Sequence, residues 1–455
     1  MISPEVENKD VVFVCKMRNV VKFLLPLALA SLSSNIMFIS DRIVLTHYSV
    51  DALLVSALAG SFTYIPLQFL MNIAGACVVF VGQLNGAKNF TSIGNLVWQI
   101  AYFSVFTSIC YAIFAIFMDG FTTLPEAYKD KGLVYQKILM ASSGMPAISV
   151  AFSSFIVGIG KSRLVIYVIA FANVLNILLD IILVFGRGII PSMGLIGSAI
   201  ATVIAQLIQL IIFFSIFYQK KYRSKFGIST YKLNLKLMHK CIALGMPLAI
   251  SALLETSAWY VLLLILNNVS KQLATIESFS IGLVSFFTFF SNSILRASSA
   301  FNANAIGERN KEKSQKSIRL FLLLNFYVCC IFAIPLVVKQ DILFRIIDYI
   351  NPEMRPLYGE ISFVCICIWM GVLVDGIYSV IIGALQAGGD VRTPYLINIC
   401  TLWGLLIFPI MFLSSINWLS SIKVVYAIIT FRTFCNCIII YIRYTKFKWF
   451  VSVFT

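Results

Sequence analysis

The stretch QKKYRSKFGISTYKLNLKLMHK, residues Gln219–Lys240, carries seven Lys/Arg and no acid, and it is the longest polar interruption in an otherwise apolar chain of 455 residues. On each side lie six apolar runs, each long enough to cross a hydrocarbon layer about 30 Å thick. Before the interruption they are 20–46, 52–80, 94–118, 134–157, 164–186 and 197–218; after it they are 241–267, 274–300, 317–338, 358–384, 394–414 and 423–442. With 60% hydrophobic and 12% charged residues and a mean hydropathy of +0.92, this is no soluble globular chain. The expected fold class is all-α integral membrane, with twelve transmembrane helices in two six-helix lobes. The boundaries read as an N-terminus over 1–19, a first lobe over 20–218, a basic linker over 219–240, a second lobe over 241–442 and a C-terminus over 443–455. The first run exceeds a signal-peptide core and lacks a small-residue cleavage pattern, so it is expected to stay in the mature protein.

Short repeats support the division. Pro26-Leu27-Ala28 recurs as Pro247-Leu248-Ala249, and Gly86…Asn89 recurs as Gly307…Asn310, both displaced by 221 residues. Six is even, so both copies enter the membrane from one side, and the expected pseudo-twofold axis lies along the membrane normal. The net charge of +16 is concentrated on that side, in the linker and in groups such as Lys16, Arg18, Lys88, Lys161, Arg309, Lys311, Arg443 and Lys446. This positive-inside bias predicts a multi-pass protein of the plasma (inner) membrane with cytoplasmic termini, the basic charge facing anionic lipid and not nucleic acid. The linker itself fits either a basic amphipathic helix on the bilayer surface, with Tyr231, Leu233, Leu235 and Leu237 turned inward, or a solvated tether.

Eleven cysteines are scattered without a CxxC pair, and the two histidines, His47 and His239, leave little for a metal or catalytic centre. Gly158-Ile159-Gly160-Lys161-Ser162 has Phe155 where a phosphate loop needs glycine, so it reads as a turn between runs four and five, matched by Ala387-Gly388-Gly389-Asp390 between runs ten and eleven. No cofactor is expected.

The chemistry lies in the polar residues inside the apolar runs. A carboxylate at membrane depth is costly unless it faces a cavity or a partner, and Asp41, Asp180, Glu255 and Asp375 all lie there. Asn173, Asn176 and Asp180 share one helical face at i, i+3 and i+7. With Asp41 and Thr202 they form an oxygen-rich set suited to a hard cation such as Na⁺, with Asp41, Asn176 and Asp180 as ligands, or else an interhelical hydrogen-bond cluster. Glu255 and Asp375 have no basic neighbour in sequence and read as binding groups or as protonated structural carboxyls. Pro26 and Pro247 interrupt apolar helices at matching places and are expected to bend them, or to be absorbed by neighbouring packing. Arg42, next to Asp41, fits either a neutralising neighbour or a side chain snorkelling to the outer interface, and Arg296 is similarly ambiguous near the cytoplasmic end of its run; they are the only strong basic candidates for lining a phosphate-binding cavity.

These residues resemble the multidrug and toxic compound extrusion (MATE) transporters, especially the bacterial NorM-like group. The resemblance rests on Val81-Gly82-Gln83-Leu84-Asn85-Gly86-Ala87, on Asn176 to Gly186 followed by Pro191-Ser192-Met193-Gly194 and Gly197–Thr202, on Pro247 with Glu255, and on Asp375 with Gly383 and Leu385. It departs at Gly371, where that group often has tyrosine, and at Gln386-Ala387, where arginine-glycine is usual. The resemblance implies a non-enzymatic antiporter, working as a monomer in the lipid bilayer, that exports organic cations in exchange for Na⁺ or H⁺. It assigns Asp41, Asn176, Asp180 and Thr202 to an ion-coupling site in the first lobe, and Glu255 and Asp375 to an ion- or substrate-binding site in the second. The main alternative is a lipid-linked oligosaccharide flippase of the same architecture. Phosphate handling would need a basic cavity, and four acids against Arg42 and Arg296 favour cation export.

Overall fold

The computed structural model describes residues 13–118, 129–186, 191–350, 355, 357–419, 421–446 and 449–451. Among them are twelve helices long and apolar enough to cross a membrane. Spans 1 to 6 are Met17–Tyr48, Phe62–Gly86, Thr91–Ile116, Asp130–Gly158, Ser162–Phe185 and Gly194–Phe217; spans 7 to 12 are Leu235–Val269, Phe279–Gly307, Lys311–Val338, Tyr358–Ala387, Arg392–Ser415 and Ile422–Lys446. With an even count, Phe13, the linker and Trp449 share one end of the bundle, here called the linker end. The helices containing Pro26 and Pro247 run through both prolines without interruption. The breaks lie elsewhere: at Ala76 in span 2, Ser143 in span 4 and Thr288 in span 8, with π-helical turns at Ile334–Val338 and Trp403–Ile407.

The repeat seen in sequence is also a repeat of backbone geometry. Lys88 and Arg309, 221 residues apart, are left-handed non-glycine residues with φ of 58° and 55°. Each follows a helix C-terminus closed the same way, by Asn89 N–H bonding Leu84 O and by Asn310 N–H bonding Ala305 O, both at 2.9 Å. The two copies then pack on each other. A Cβ on Gly86 would strike the backbone carbonyl of Asn304, and a Cβ on Gly307 would strike that of Gln83. Gln83 and Asn304 are themselves 221 residues apart, so these contacts are symmetry mates across a pseudo-twofold axis. Likewise span 1 packs on span 8, and span 7 on span 2. Asn85 donates to Asn304 Oδ1 at 2.6 Å and Gln83 to Ala387 O at 2.6 Å, fastening the halves together at the linker end.

The linker is neither a surface helix nor a free tether. Lys220–Lys225 forms a short helix, and span 7 starts at Leu235, before residue 241, because the Asn234 side chain accepts from Leu237 N–H at 3.0 Å and caps it. Between them the chain is strapped along one face of span 3. Gly94 N–H donates to Phe226 O (2.8 Å), Trp98 Nε1 to Ile228 O (2.9 Å), Gln99 Nε2 to Lys232 O (2.9 Å) and Tyr102 OH to Tyr231 O (3.1 Å). Tyr222, Phe226 and Ile228 are buried. Gly94 permits this approach, since a Cβ there would lie 2.6 Å from Phe226 O and from Ile228 Cα. All eleven cysteines are free, and Cys110, Cys330 and Cys400 among them are exposed.

Candidate functional site

Among the described residues, the four intramembrane acids singled out by the sequence gather in two places, one in each half. In the first half, span 5 presents Asn173, Asn176 and Asp180 toward spans 1 and 6, and all three are buried. Asn173 Nδ2 donates to Ser33 Oγ of span 1 at 2.8 Å, and Asn176 Nδ2 reaches Thr202 Oγ1 of span 6 at 3.5 Å, the outer limit of a hydrogen bond. Asp41 stands beside Asp180, with Ser198 and Tyr135 next to the pair. The four first-half residues predicted as an ion-coupling set are therefore in one neighbourhood. Four of its buried acceptor atoms lack a donor: Asp41 Oδ1, Asn176 Oδ1 and both carboxyl oxygens of Asp180. Buried oxygens without donors are costly, and the group that would satisfy this set is a proton or a hard cation. Among the described residues no three His, Cys, Asp or Glu side chains gather as a metal cluster, so a cation here would draw on amide and hydroxyl oxygens as well as the two carboxyls. Arg42 is exposed, with its guanidinium 4.5 Å from the Phe38 ring centre and within electrostatic reach of Tyr135.

In the second half the organising residue is Asn398 of span 11. Its Nδ2 donates to Glu255 Oε2 at 3.4 Å, while its Oδ1 accepts from Arg432 Nη2 and, at 3.1 Å, from Asn436 Nδ2. Arg432 Nη2 also reaches the Asn398 carbonyl at 3.4 Å. Asp375 of span 10 lies beside Ser291, within electrostatic reach of Glu255 and Arg432. Tyr378 and Tyr395 border the same group. The structure thus brings Glu255 and Asp375 together, and adds Arg432, Asn398 and Asn436 to them.

Arg432 is a further basic side chain that the sequence did not single out: it is 8% exposed, while Arg42 is exposed and Arg296 half-buried. A further buried acid, Glu277, lies on the helix Lys271–Phe287 two residues before span 8, is 1% exposed and sits beside Tyr426 of span 12. One signal was available, because Arg432 and Asn436 share a helical face at i and i+4, the same kind of spacing that singled out span 5.

Comparison with known proteins agrees with this architecture. The model of the family described as MatE matches residues 26–182 and again 247–413, so the two matches start with the 221-residue displacement of the proline and glycine repeats. The chain belongs to the MatE family. Its members are transporters, so this MatE protein is a multi-pass membrane transporter and not an enzyme. It is 24% identical over 408 residues to a probable multidrug resistance protein YoeA of Bacillus subtilis, covering 88% of this chain and 87% of that one. It is also 24% identical over 400 residues to a probable multidrug resistance protein NorM of Oceanobacillus iheyensis, covering 85% and 87%. Among solved structures, a MATE protein in complex with MaL6 superposes with a TM-score of 0.83 at 14% identity, over 97% of this chain and 98% of that one. A MOP superfamily transporter from Pyrococcus furiosus superposes with a TM-score of 0.82, also at 14% identity and the same coverage.

Proposed function

We propose that this MatE protein is a secondary active antiporter that exports amphipathic organic cations in exchange for Na⁺ or H⁺. The observation that carries the reading is the first-half pocket of Asp41, Asn176 and Asp180, whose buried oxygens lack donors. Two carboxylates about 4 Å apart repel by about 4 kcal/mol at an effective dielectric of 20, so the pocket is stable only when a cation or proton is bound. The likeness to probable multidrug resistance proteins supports an organic substrate, and the second-half acids Glu255 and Asp375 supply negative charge to bind it. Exchange follows when the empty protein switches slowly between inward- and outward-facing states and each ligand favours one of them. Seven Lys/Arg in the linker support a cytoplasmic linker end in the plasma membrane, and the gathering of Asp41, Asn176, Asp180 and Thr202 within one chain supports a working monomer. The flippase alternative finds one further buried basic side chain in Arg432, but Arg432 is tied to Asn398 among acids and offers no basic track for a phosphate.

The deciding experiment is purified protein in liposomes loaded with a fluorescent organic cation, assayed under an imposed Na⁺ gradient and then an imposed pH gradient. Gradient-driven movement of the dye under at least one condition is the expected result. No movement under either would remove the antiport reading.

A further inference from the structure

The transporter reading gives no role to the seat of the linker on span 3. We propose that this seat is a binding site for one anionic phospholipid, its phosphate held by Arg223 and the hydroxyl pair of Tyr218 and Tyr231, its acyl chain laid in the apolar groove between span 3 and the start of span 7. The inference needs only that the chain spans a bilayer, and it is independent of the compound and ion that are carried.

The groove is open, with a volume of about 400 Å³, and is walled by Phe103 and Phe106 of span 3 and by Leu233, Leu235 and Met238. Phe106, Leu233 and Leu235 are each at least 60% exposed. Side chains two apart on an extended chain point the same way, so Tyr231 and Leu233 turn together to this side. Tyr231 stands at the head of the groove and is already fixed there, because Trp98 packs on Tyr231 and Tyr102 with ring centres 5.6 and 5.8 Å apart.

Depth orders the parts. Gly94, Trp98 and Tyr102 bond Phe226, Ile228 and Tyr231 in turn, so the linker climbs eight residues of span 3, roughly 12 Å, away from the linker end. Arg223, in the short helix before Phe226, therefore lies toward the rim, and Phe106 lies one turn deeper than Tyr102. The Arg223 guanidinium sits over the Tyr218 ring, 5.6 Å from its centre. Tyr218 OH and Tyr231 OH bond each other at 2.5 Å, and Tyr231 is within electrostatic reach of Arg223. A cation at the rim, hydroxyls below it and apolar walls below those follow the order of parts in a phospholipid.

The donors suit an anion. Residues 219–240 contain no acid, so nothing in the linker neutralises Arg223, which is exposed. One tyrosine of the pair donates to the other, leaving the acceptor's own O–H free to donate outward. A phosphodiester can take that bond together with charge-assisted bonds from the guanidinium. Lys225 of the same short helix is turned elsewhere, over the rings of Phe90 and Phe226.

The test titrates the purified full-length protein, in one detergent, with dioleoylphosphatidylglycerol or dioleoylphosphatidylcholine and counts bound lipid by native mass spectrometry. It involves no gradient and no transported compound, so its failure is distinct from failure of the liposome assay. One phosphatidylglycerol is expected to bind at least about tenfold tighter than phosphatidylcholine. Arg223→Gln is expected to weaken phosphatidylglycerol about tenfold while leaving phosphatidylcholine within about twofold, the loss of a charge-assisted hydrogen bond, and Arg223→Lys is expected to keep part of the preference. Leu233→Ser is expected to weaken both lipids about threefold, and Lys225→Gln to stay within about twofold of wild type. All three positions are exposed, so the variants are expected to fold. Equal affinity of the wild type for the two lipids, or an unchanged preference in Arg223→Gln, overturns the proposal. An equal loss in Lys225→Gln would show a diffuse basic surface and also overturns it. Displacement of the lipid by glycerophosphoglycerol, the same headgroup without chains, at equal concentration would show a bare phosphate site and overturn the lipid assignment.

Discussion

The two halves share a backbone repeat but spend it differently. In the first half the acid pair lies near the end opposite the linker: Asp180 is five residues from the end of span 5 at Phe185, roughly 8 Å along the helix. In the second half Asp375 is seventeen residues from the corresponding end of span 10 at Tyr358, roughly 25 Å. The first site is short of donors, whereas the second is threaded by donors from Arg432, Asn398 and Asn436. The lesson is that pseudo-symmetry here constrains the scaffold, down to the left-handed residues at Lys88 and Arg309, while leaving the chemistry of each half free to diverge.

The largest expected effect separates the halves by function. Glu255→Gln or Asp375→Asn keeps shape and hydrogen-bonding capacity but removes the charge, and each is expected to lower the initial rate of dye export at least about tenfold under any gradient. Asp180→Asn is expected instead to flatten the dependence of export on the driving ion. Both are read in the liposome assay, with expression and monodispersity checked for each variant. If Glu255→Gln and Asp375→Asn each export at the wild-type rate, those two acids are structural and the division of labour fails.

A smaller effect compares the two asparagines. Asn398→Ala removes the acceptor for Arg432 and Asn436 and the donor to Glu255, stranding a buried guanidinium, so it is expected to cost about 3 kcal/mol. Asn176→Ala removes one hydrogen bond at the 3.5 Å limit together with a carbonyl oxygen that lacks a partner, and is expected to change stability by about 1 kcal/mol or less. Thermal unfolding of the two variants in the same detergent measures the difference. Equal losses would mean that the second-half network is no more connected than the first.

Much of this was visible in the sequence for physical reasons. Span count and type follow from hydrophobic length, the two-half organisation from the 221-residue displacement, and the span 5 stripe from helical periodicity, because each depends on residues near one another along the chain. The second-half site did not yield in the same way. Arg432 is one charge in a long apolar run, and its partner Asn398 lies 34 residues away, so only the packing of spans 10, 11 and 12 reveals that they meet. The linker shows the same limit, since its basic composition is obvious while its seat on span 3 depends on the missing Cβ of Gly94 and the indole N–H of Trp98.

The smallest expected effect is the sharpest test of the first half as a single unit. Asp41 and Asp180 stand side by side, and their cost when both are ionised arises from their mutual repulsion. Once Asp180→Asn has removed one charge, Asp41 no longer faces a like charge, and the free energy gained by capturing a cation between the two is already lost. Adding Asp41→Asn is therefore expected to change ion dependence by no more than about twofold, because members of one interacting site are not additive. The measurement is a double-mutant cycle on the Na⁺ and pH dependence of export, comparing wild type, both single variants and the double variant. A double variant whose loss equals the product of the two single losses would show that the carboxyls act separately. Wild-type gradient dependence in the double variant would move coupling to Glu255, Asp375 or Glu277 and leave the first-half cluster as a joint between spans 1, 5 and 6.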